Sequence, residues 1–322
     1  MKVISTNDYL SHVLQMSHDN PILMSTVSGF RGIYLEAVKL ELARRGLKTE
    51  PLDYNRFQVS LDLIRSREDL GDFVIPAFIR ILKEYRDLLD AEMITEIEET
   101  LINFRYWLDE PGEINACYFT ENHQVLFHSA EILVGEMFPS RIFPSDGKTG
   151  LCHKEHGTAF LLRWMDWRER IGFSEWFSNY YAEDILALLG LYRYAEDEAI
   201  RRRSKSIIDM LLLDIALNTF EGHWAGCQGR AYVRYLVEPA FESISPICWL
   251  CWGEGSIDGD LSDCAVMMAI YDYQCPEAIA SIGRDKPKVM INRERMSLDV
   301  KDAARYGIDP SDFNNIMFFW GQ

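Results

Sequence analysis

From about Phe73 to Phe220 the apolar residues of this chain recur at helical spacing, and the interruptions fall at Pro and Gly. This pattern leaves room for little except helical hairpins in series. One helix is expected from Phe73 to Leu89, with Ile75, Phe78, Ile79, Leu82, Tyr85 and Leu89 on one side. A second runs from about Glu92 to Leu108 and stops at Glu110-Pro111-Gly112, which a helix does not cross cheaply. The pattern then predicts helices over Glu121 to Met137, Cys152 to Ile171, Tyr181 to Tyr194 and Asp197 to Thr219. Beyond Trp224, Pro239, Pro246, Pro276, Pro287 and Pro310 break the chain into shorter pieces. The fold class is therefore all-α, either a bundle or an (α/α) toroid of helical hairpins, complete or incomplete. Residues 1–72 are expected to form an N-terminal helical segment with a helix from Ile33 to Arg45, and 73–322 the helical toroid domain.

The chain has 322 residues, 48% of them hydrophobic and 12% aromatic, enough for a large core. Its net charge of −17 opposes nucleic acid and anionic membranes, so neither is an expected partner. No stretch reaches the roughly 18 to 20 uncharged apolar residues that span a bilayer, and Met1 to Asn20 lacks a signal-peptide run. Seven scattered Cys suit reduced thiols, and the expected location is cytoplasmic. The end of the sequence, Asn315 to Gln322, is strongly apolar. It must either pack into the core or be covered by further domains or subunits.

Chemistry concentrates at the starts of the helices. Tyr118-Phe119-Thr120-Glu121-Asn122-His123-Gln124 opens one helix, and Gly172 to Tyr181 opens another about fifty residues later. At a helix N-terminus Asn122 and His123 can converge on one group, beside free backbone N–H donors and the positive end of the dipole. Asn122 as a mere N-cap is an equally good reading of the same residue. Glu175, Trp176, Asn179, Tyr180 and Tyr181 offer carboxyl, amide and aromatic faces of the kind on which sugar rings stack. Asp184 could complete an acid/base pair with Glu175. The run Arg201-Arg202-Arg203 with Lys205 reads as a solvated helix face.

The pair Asn122-His123, together with Arg230 and Tyr232 in Gly229-Arg230-Ala231-Tyr232, resembles the toroidal polysaccharide lyases of the alginate lyase and heparinase type. The resemblance covers roughly Phe73 to Tyr235. It implies β-elimination on a uronic acid within a polysaccharide or oligosaccharide, with Asn122 and His123 neutralising the carboxylate and sharing proton abstraction, and Tyr232 beside Arg230, or in its place Tyr180 or Tyr181, as base or acid. Glu175 joins these as a catalytic candidate, and Glu121, Trp176, Asn179, Tyr180, Tyr181 and His128 are the candidate substrate-binding residues. Glu121 stands where an Asn would complete the usual Asn-Asn-His. Two alternatives stay open. One is an inverting or retaining glycoside hydrolase with Glu175 as acid and Glu121 or Asp184 as base. The other is a non-catalytic helical scaffold domain of a larger assembly.

No cofactor or metal is expected. The chain has no Walker loop, no dinucleotide fingerprint after a strand and no nucleophile elbow. His153 and His156 share a helix face, but their spacing of three is not the four of His-Glu-x-x-His, and His128 lies about 140° round the helix from His123. Cys248-Trp249-Leu250-Cys251 has no second pair at zinc-ribbon spacing.

Overall fold

The computed structural model describes residues 5–20, 29–113, 115–175, 179–225, 228–287, 289–294, 297–309 and 311–312. It is all-α. The helices are α1 Thr6–Asp19, α2 Gly32–Arg44, α3 Tyr54–Ser66, α4 Gly71–Glu84, α5 Ala91–Ile102, α6 Glu121–Met137, α7 Gly150–Ile171, α8 Tyr181–Tyr194, α9 Glu198–Asn218, α10 Val233–Val237, α11 Ile244–Trp252, α12 Asp263–Ile270 and α13 Glu277–Arg284. The only described sheet is a two-stranded antiparallel ribbon, β1 Thr219–Phe220 with β2 His223–Trp224. None of the described helices is long and apolar enough to cross a membrane.

Five helices are buried almost from end to end, and they form a closed circuit of contacts. α2 packs on α4, α4 on α6, α6 on α8, α8 on α12, and α12 back on α2. A helix apolar all round must be enclosed, and the neighbours that enclose these five are amphipathic. α1 covers α2 and α12, α3 covers α2 and α4, α5 covers α4, α7 covers α6, and α9 covers α8. One continuous core runs from Tyr9 to Ile308. The expected boundary at residue 72 thus falls within α4, and α2, in the supposed N-terminal segment, is one of the five inner helices.

Four of the five inner helices start differently from the outer ones, the exception being α12, which Ser262 caps. α1, α3, α5, α7 and α9 are capped by their own Ser5, Asp53, Asp90, Thr149 and Asp197 side chains. Such caps satisfy the orphan N–H groups of a first turn locally. α2, α4, α6 and α8 have no side-chain cap of their own, and their first turns meet one another.

The spacing-based helices Glu121 to Met137 and Tyr181 to Tyr194 agree with α6 and α8 to the residue. The expected Phe73 to Leu89 helix ends earlier, at Glu84, and a 3₁₀ turn, Arg86–Leu88, follows. The expected Glu92 to Leu108 helix ends at Ile102, because Phe104 to Glu110 folds into a loop closed by the Glu110 carboxylate on the Tyr106 and Trp107 N–H groups. The six described cysteines, Cys117, Cys152, Cys248, Cys251, Cys264 and Cys275, are free. The apolar stretch Asn315 to Gln322 lies outside the described residues.

Candidate functional site

The starts of the inner helices are held together by charge. Arg31, just before α2, pairs with Glu183 in the first turn of α8 at 3.4 Å and with Asp263, the first residue of α12, at 3.2 Å. His123, in the first turn of α6, shares a 2.7 Å hydrogen bond between its Nδ1 and Oδ2 of Asp72 in the first turn of α4. The turn before α4 has Arg67 and Leu70 in left-handed backbone, a strained arrangement for side-chain-bearing residues. It sets Asp69 3.9 Å from the His123 Nε2. Five helix starts therefore converge on one rim.

Asn122 and Glu175 meet there. The Glu175 carboxylate accepts from the Asn122 backbone N–H at 3.0 Å and from its side-chain amide, so Glu175 caps α6 from a different segment. Thr120, not Asn122, is the N-cap residue, and its hydroxyl accepts from the Asn122 amide at 3.2 Å. The neighbouring residues lock the two segments reciprocally. Glu121 accepts from the Ser174 backbone N–H at 2.7 Å and hydroxyl at 2.9 Å, and it pairs with the buried Arg168. Those bonds hold Glu121 as an anchor of the 174–175 loop, away from the substrate-facing position the sequence suggested.

Arg230 and Tyr232 reach the same rim. The Arg230 guanidinium lies 5.3 Å from the Tyr180 ring centre and 5.4 Å from that of Tyr232, and the two phenol oxygens are 2.5 Å apart. The Glu175 carboxylate feels the charges of both His123 and Arg230. Asn122, His123, Glu175, Tyr180, Arg230 and Tyr232 thus form one interacting set, with Asn179 buried beside Tyr180. The side-chain oxygens of Asn122 and Asn179 accept no hydrogen bond among the described residues.

The electrostatics of the rim are unusual for a neutral solution. Burial would lower the His123 pKa, but the charge and hydrogen bond of Asp72 override it and push it up to about 9. Burial pushes Glu175 up, against its bonds from Asn122. Burial likewise raises Glu183 to about 8, although Arg31 pulls it down. Tyr180 is raised by burial and by its bond to Tyr232, so it stays a phenol in that hydroxyl pair. The arrangement can place a cationic imidazole, carboxyl groups whose ionisation burial opposes and a partly buried phenol on one rim.

Other expected residues lie elsewhere. Tyr181 is fully buried and donates to Asp214 at 3.0 Å, packing between Phe173 and Trp224. His128 is also fully buried, with Trp107 at 4.1 Å and Phe160 stacked at 5.0 Å, and its nearest carboxylate is Glu131. Asp184 is sealed in the core, where burial holds its pKa well above the carboxylate range. Trp176 lies outside the described residues. Asp72, Glu183, Asp263 and Arg31 were not singled out from the sequence. The available signal was a charge set in the apolar start of a helix, as in Gly71-Asp72-Phe73-Val74-Ile75 and Tyr181-Ala182-Glu183-Asp184-Ile185. A cavity of about 770 Å³ lined by Trp249, Cys251, Trp252, Tyr273, Cys275 and Arg284 shares no residue with the rim.

No protein-family model, curated protein or solved structure matches this chain.

Proposed function

We propose that the chain is an (α/α) toroid whose rim catalyses β-elimination on a uronic acid residue of a polysaccharide or oligosaccharide. The observation that carries this reading is the meeting of Arg230, Tyr180 and Tyr232 with Asn122, His123 and Glu175. The closed circuit of inner helices, each backed by an amphipathic neighbour, supports the toroid.

Elimination needs three things at one place. A uronate carboxylate must be neutralised so that the C5 proton becomes acidic, a base must take that proton, and an acid must protonate the departing O4. The imidazolium of His123 and the guanidinium of Arg230 supply the neutralising charge. Tyr232, half-exposed and hydrogen-bonded to Tyr180, reacts in this proposal as the phenolate beside Arg230: it takes the C5 proton, the C4–C5 double bond forms as the C4–O4 bond breaks, and the resulting phenol gives that proton to the departing O4. No external reactant is consumed. The unused oxygens of Asn122 and Asn179 suit sugar hydroxyl donors.

The hydrolytic alternative keeps one favourable observation, the buried Glu175 carboxyl with its raised pKa. Its partner base is missing. Glu121 is bonded to Ser174 and Arg168, and Asp184 is buried in the core.

A panel of uronate and neutral oligosaccharides, read by ultraviolet absorbance for the conjugated product and by reducing ends for total cleavage, tests the assignment. Absorbance should rise on a uronate substrate and vanish in His123→Ala and Tyr232→Phe. Reducing ends without absorbance, lost in Glu175→Gln, would replace elimination by hydrolysis. No cleavage of any member of the panel would favour a non-catalytic helical scaffold.

A further inference from the structure

A second cluster of ionisable side chains lies within the α6–α7 hairpin. Glu131, two and a half turns below Asn122 on α6, is wholly buried. At 1.5 Å per residue it is about 13 Å from the rim. Its Oε1 is 3.0 Å from His153 Nδ1 and 2.9 Å from His156 Nδ1, both on α7. Glu110, from the loop after α5, brings a third buried group. One donor atom each from Glu110, Glu131 and His153 lie within 4.8 Å of one another.

Three features make this more than a patch of buried charge. First, the Glu110 side chain is 4% exposed, and while its Oε1 accepts from the Tyr106 and Trp107 N–H groups at 2.8 and 3.0 Å, its Oε2 makes no hydrogen bond of normal geometry among the described residues, with the Ser145 hydroxyl the donor nearby. A buried carboxylate oxygen without a well-placed donor is costly unless something positive faces it. Second, His153 Nε2 is 3.2 Å from Asp146 Oδ1, and His156 Nε2 is 3.1 Å from Asp109 Oδ2. A carboxylate on the far nitrogen of an imidazole is the usual way a ligating histidine is oriented. Third, the donors stand on a rigid support. A Cβ at Gly157 would lie 2.9 Å from Glu131 Oε2, and one at Gly135 would lie 2.5 Å from the Gly150 carbonyl, so glycines let α6 and α7 approach closely here. Phe143 stacks on the His153 ring at 4.3 Å and screens it from water.

We infer that Glu110, Glu131 and His153 form a structural site for one divalent first-row transition ion, with Asp146 orienting His153. Two carboxylate oxygens and one imidazole nitrogen are a borderline set that suits Zn²⁺ or Mn²⁺ and is too nitrogen-rich for an all-oxygen Ca²⁺ cage. Tetrahedral zinc with ligands near 2.0 to 2.2 Å has donors about 3.4 Å apart, so on binding the Glu131–His153 pair opens slightly from 3.0 Å while the more distant donors close by up to about 1.4 Å. The ion would tie together α6, α7 and the loop after α5. The sequence spacing concealed it because each ligand comes from a different element. Of the His153/His156 pair, whose spacing spoke against a metal, only His153 is a ligand here, while His156 stays hydrogen-bonded to Glu131.

The test uses the full chain, stripped with chelator and then equilibrated in turn with Zn²⁺ and Mn²⁺ by dialysis and elemental analysis. Uptake of about one ion per chain, with a melting temperature several degrees higher than that of the stripped chain, is expected. Glu110→Gln retains the carbonyl oxygen that accepts from Tyr106 and Trp107, so it should fold with an unchanged far-ultraviolet circular dichroism spectrum, yet uptake should fall at least tenfold. Should that variant fail to fold, Co²⁺ added to the stripped natural chain gives a separate reading, because a visible band of a low-coordinate nitrogen- and oxygen-ligated site is expected. Absence of uptake by the natural chain, or equal uptake by a folded Glu110→Gln variant, or a Co²⁺ spectrum no different from the free aquo ion, would overturn the assignment.

Discussion

Helix α6 has buried carboxylates beside its two ends, and the protein treats them in opposite ways. At the rim, burial raises Glu175 and holds Glu183 up at about 8. Within the hairpin, burial would also raise Glu131, but hydrogen bonds from His128, His153 and His156 pull it down to about 2. Desolvation acts on both sets, and the outcome depends on how many donors each carboxylate finds. In the hairpin the Glu131 carboxylate is held by imidazole donors that fix two helices together. The rim retains groups whose charge is poorly compensated, which is the usual condition of residues that await a ligand.

If this contrast is right, rim substitutions should strike turnover and hairpin substitutions stability. The largest effect expected is on elimination in Tyr232→Phe, a loss of about 10² to 10⁴ in kcat with little change in melting temperature, since general acid–base groups contribute on that order. Equal kcat for both forms would remove Tyr232 from the chemistry. Next is Glu131→Gln, which leaves the imidazoles of His153 and His156 facing no buried anion. Breaking a buried pair costs about 3–5 kcal/mol, to be read from urea midpoints. A midpoint unchanged from the parent would erase the distinction between the two regions.

The pH dependence of stability sharpens the same contrast at a somewhat smaller scale. The folded pKa of His123, about 9, lies above its unfolded value near 6.5, so its contribution is full below pH 6.5 and is lost as pH rises through 9. Glu183, raised to about 8, acts in the same sense, its carboxyl favouring the fold below about pH 4.5 and increasingly opposing it up to pH 8. Glu131, lowered to about 2, has the reverse sign and stabilises above about pH 4.5, losing that contribution as pH falls through 2. Denaturation across pH should therefore give greatest stability in the weakly acidic range, with a loss from pH 6 to 9 of about 2–3 kcal/mol from His123, which Asp72→Asn diminishes, and a similar amount from Glu183. A flat profile from pH 6 to 9 in the parent would contradict the rim's electrostatics. Gly157→Ala should cost about 1–3 kcal/mol, because its methyl group would press on Glu131. The smallest change is expected in Glu183→Gln, neutral or stabilising by about 1 kcal/mol at pH 9, since it replaces a carboxylate whose ionisation is opposed by burial. A marked loss there would mean that the Arg31 pairing outweighs desolvation.

How much of this was legible depended on where the determining contacts lay along the chain. Glu121 to Met137 and Tyr181 to Tyr194 could be read because their periodicity and their Gly and Pro limits are local. α1 and α3 were not read, since their apolar stripes are thin and α1 acquires its buried face only by packing on α2 and α12. Asn122, His123, Glu175, Arg230 and Tyr232 could be picked out as helix-junction residues, and they do meet. The role of Glu121 could not be foreseen, as its partners Ser174 and Arg168 are fixed by tertiary packing. His153 and His156 showed one shared face, but nothing local revealed Glu131 and Glu110 opposite.

The convergence of inner-helix starts also bears on the field at the rim. Each helix start carries roughly half a positive elementary charge that cannot be titrated or neutralised by a change of pH. Five of them aimed at one region amount to a fixed counter-potential inside a chain whose formal charge is −17. That potential offsets part of the repulsion among the acidic side chains that crowd the rim, and it makes the rim locally less hostile to an anion than the net charge of the chain implies.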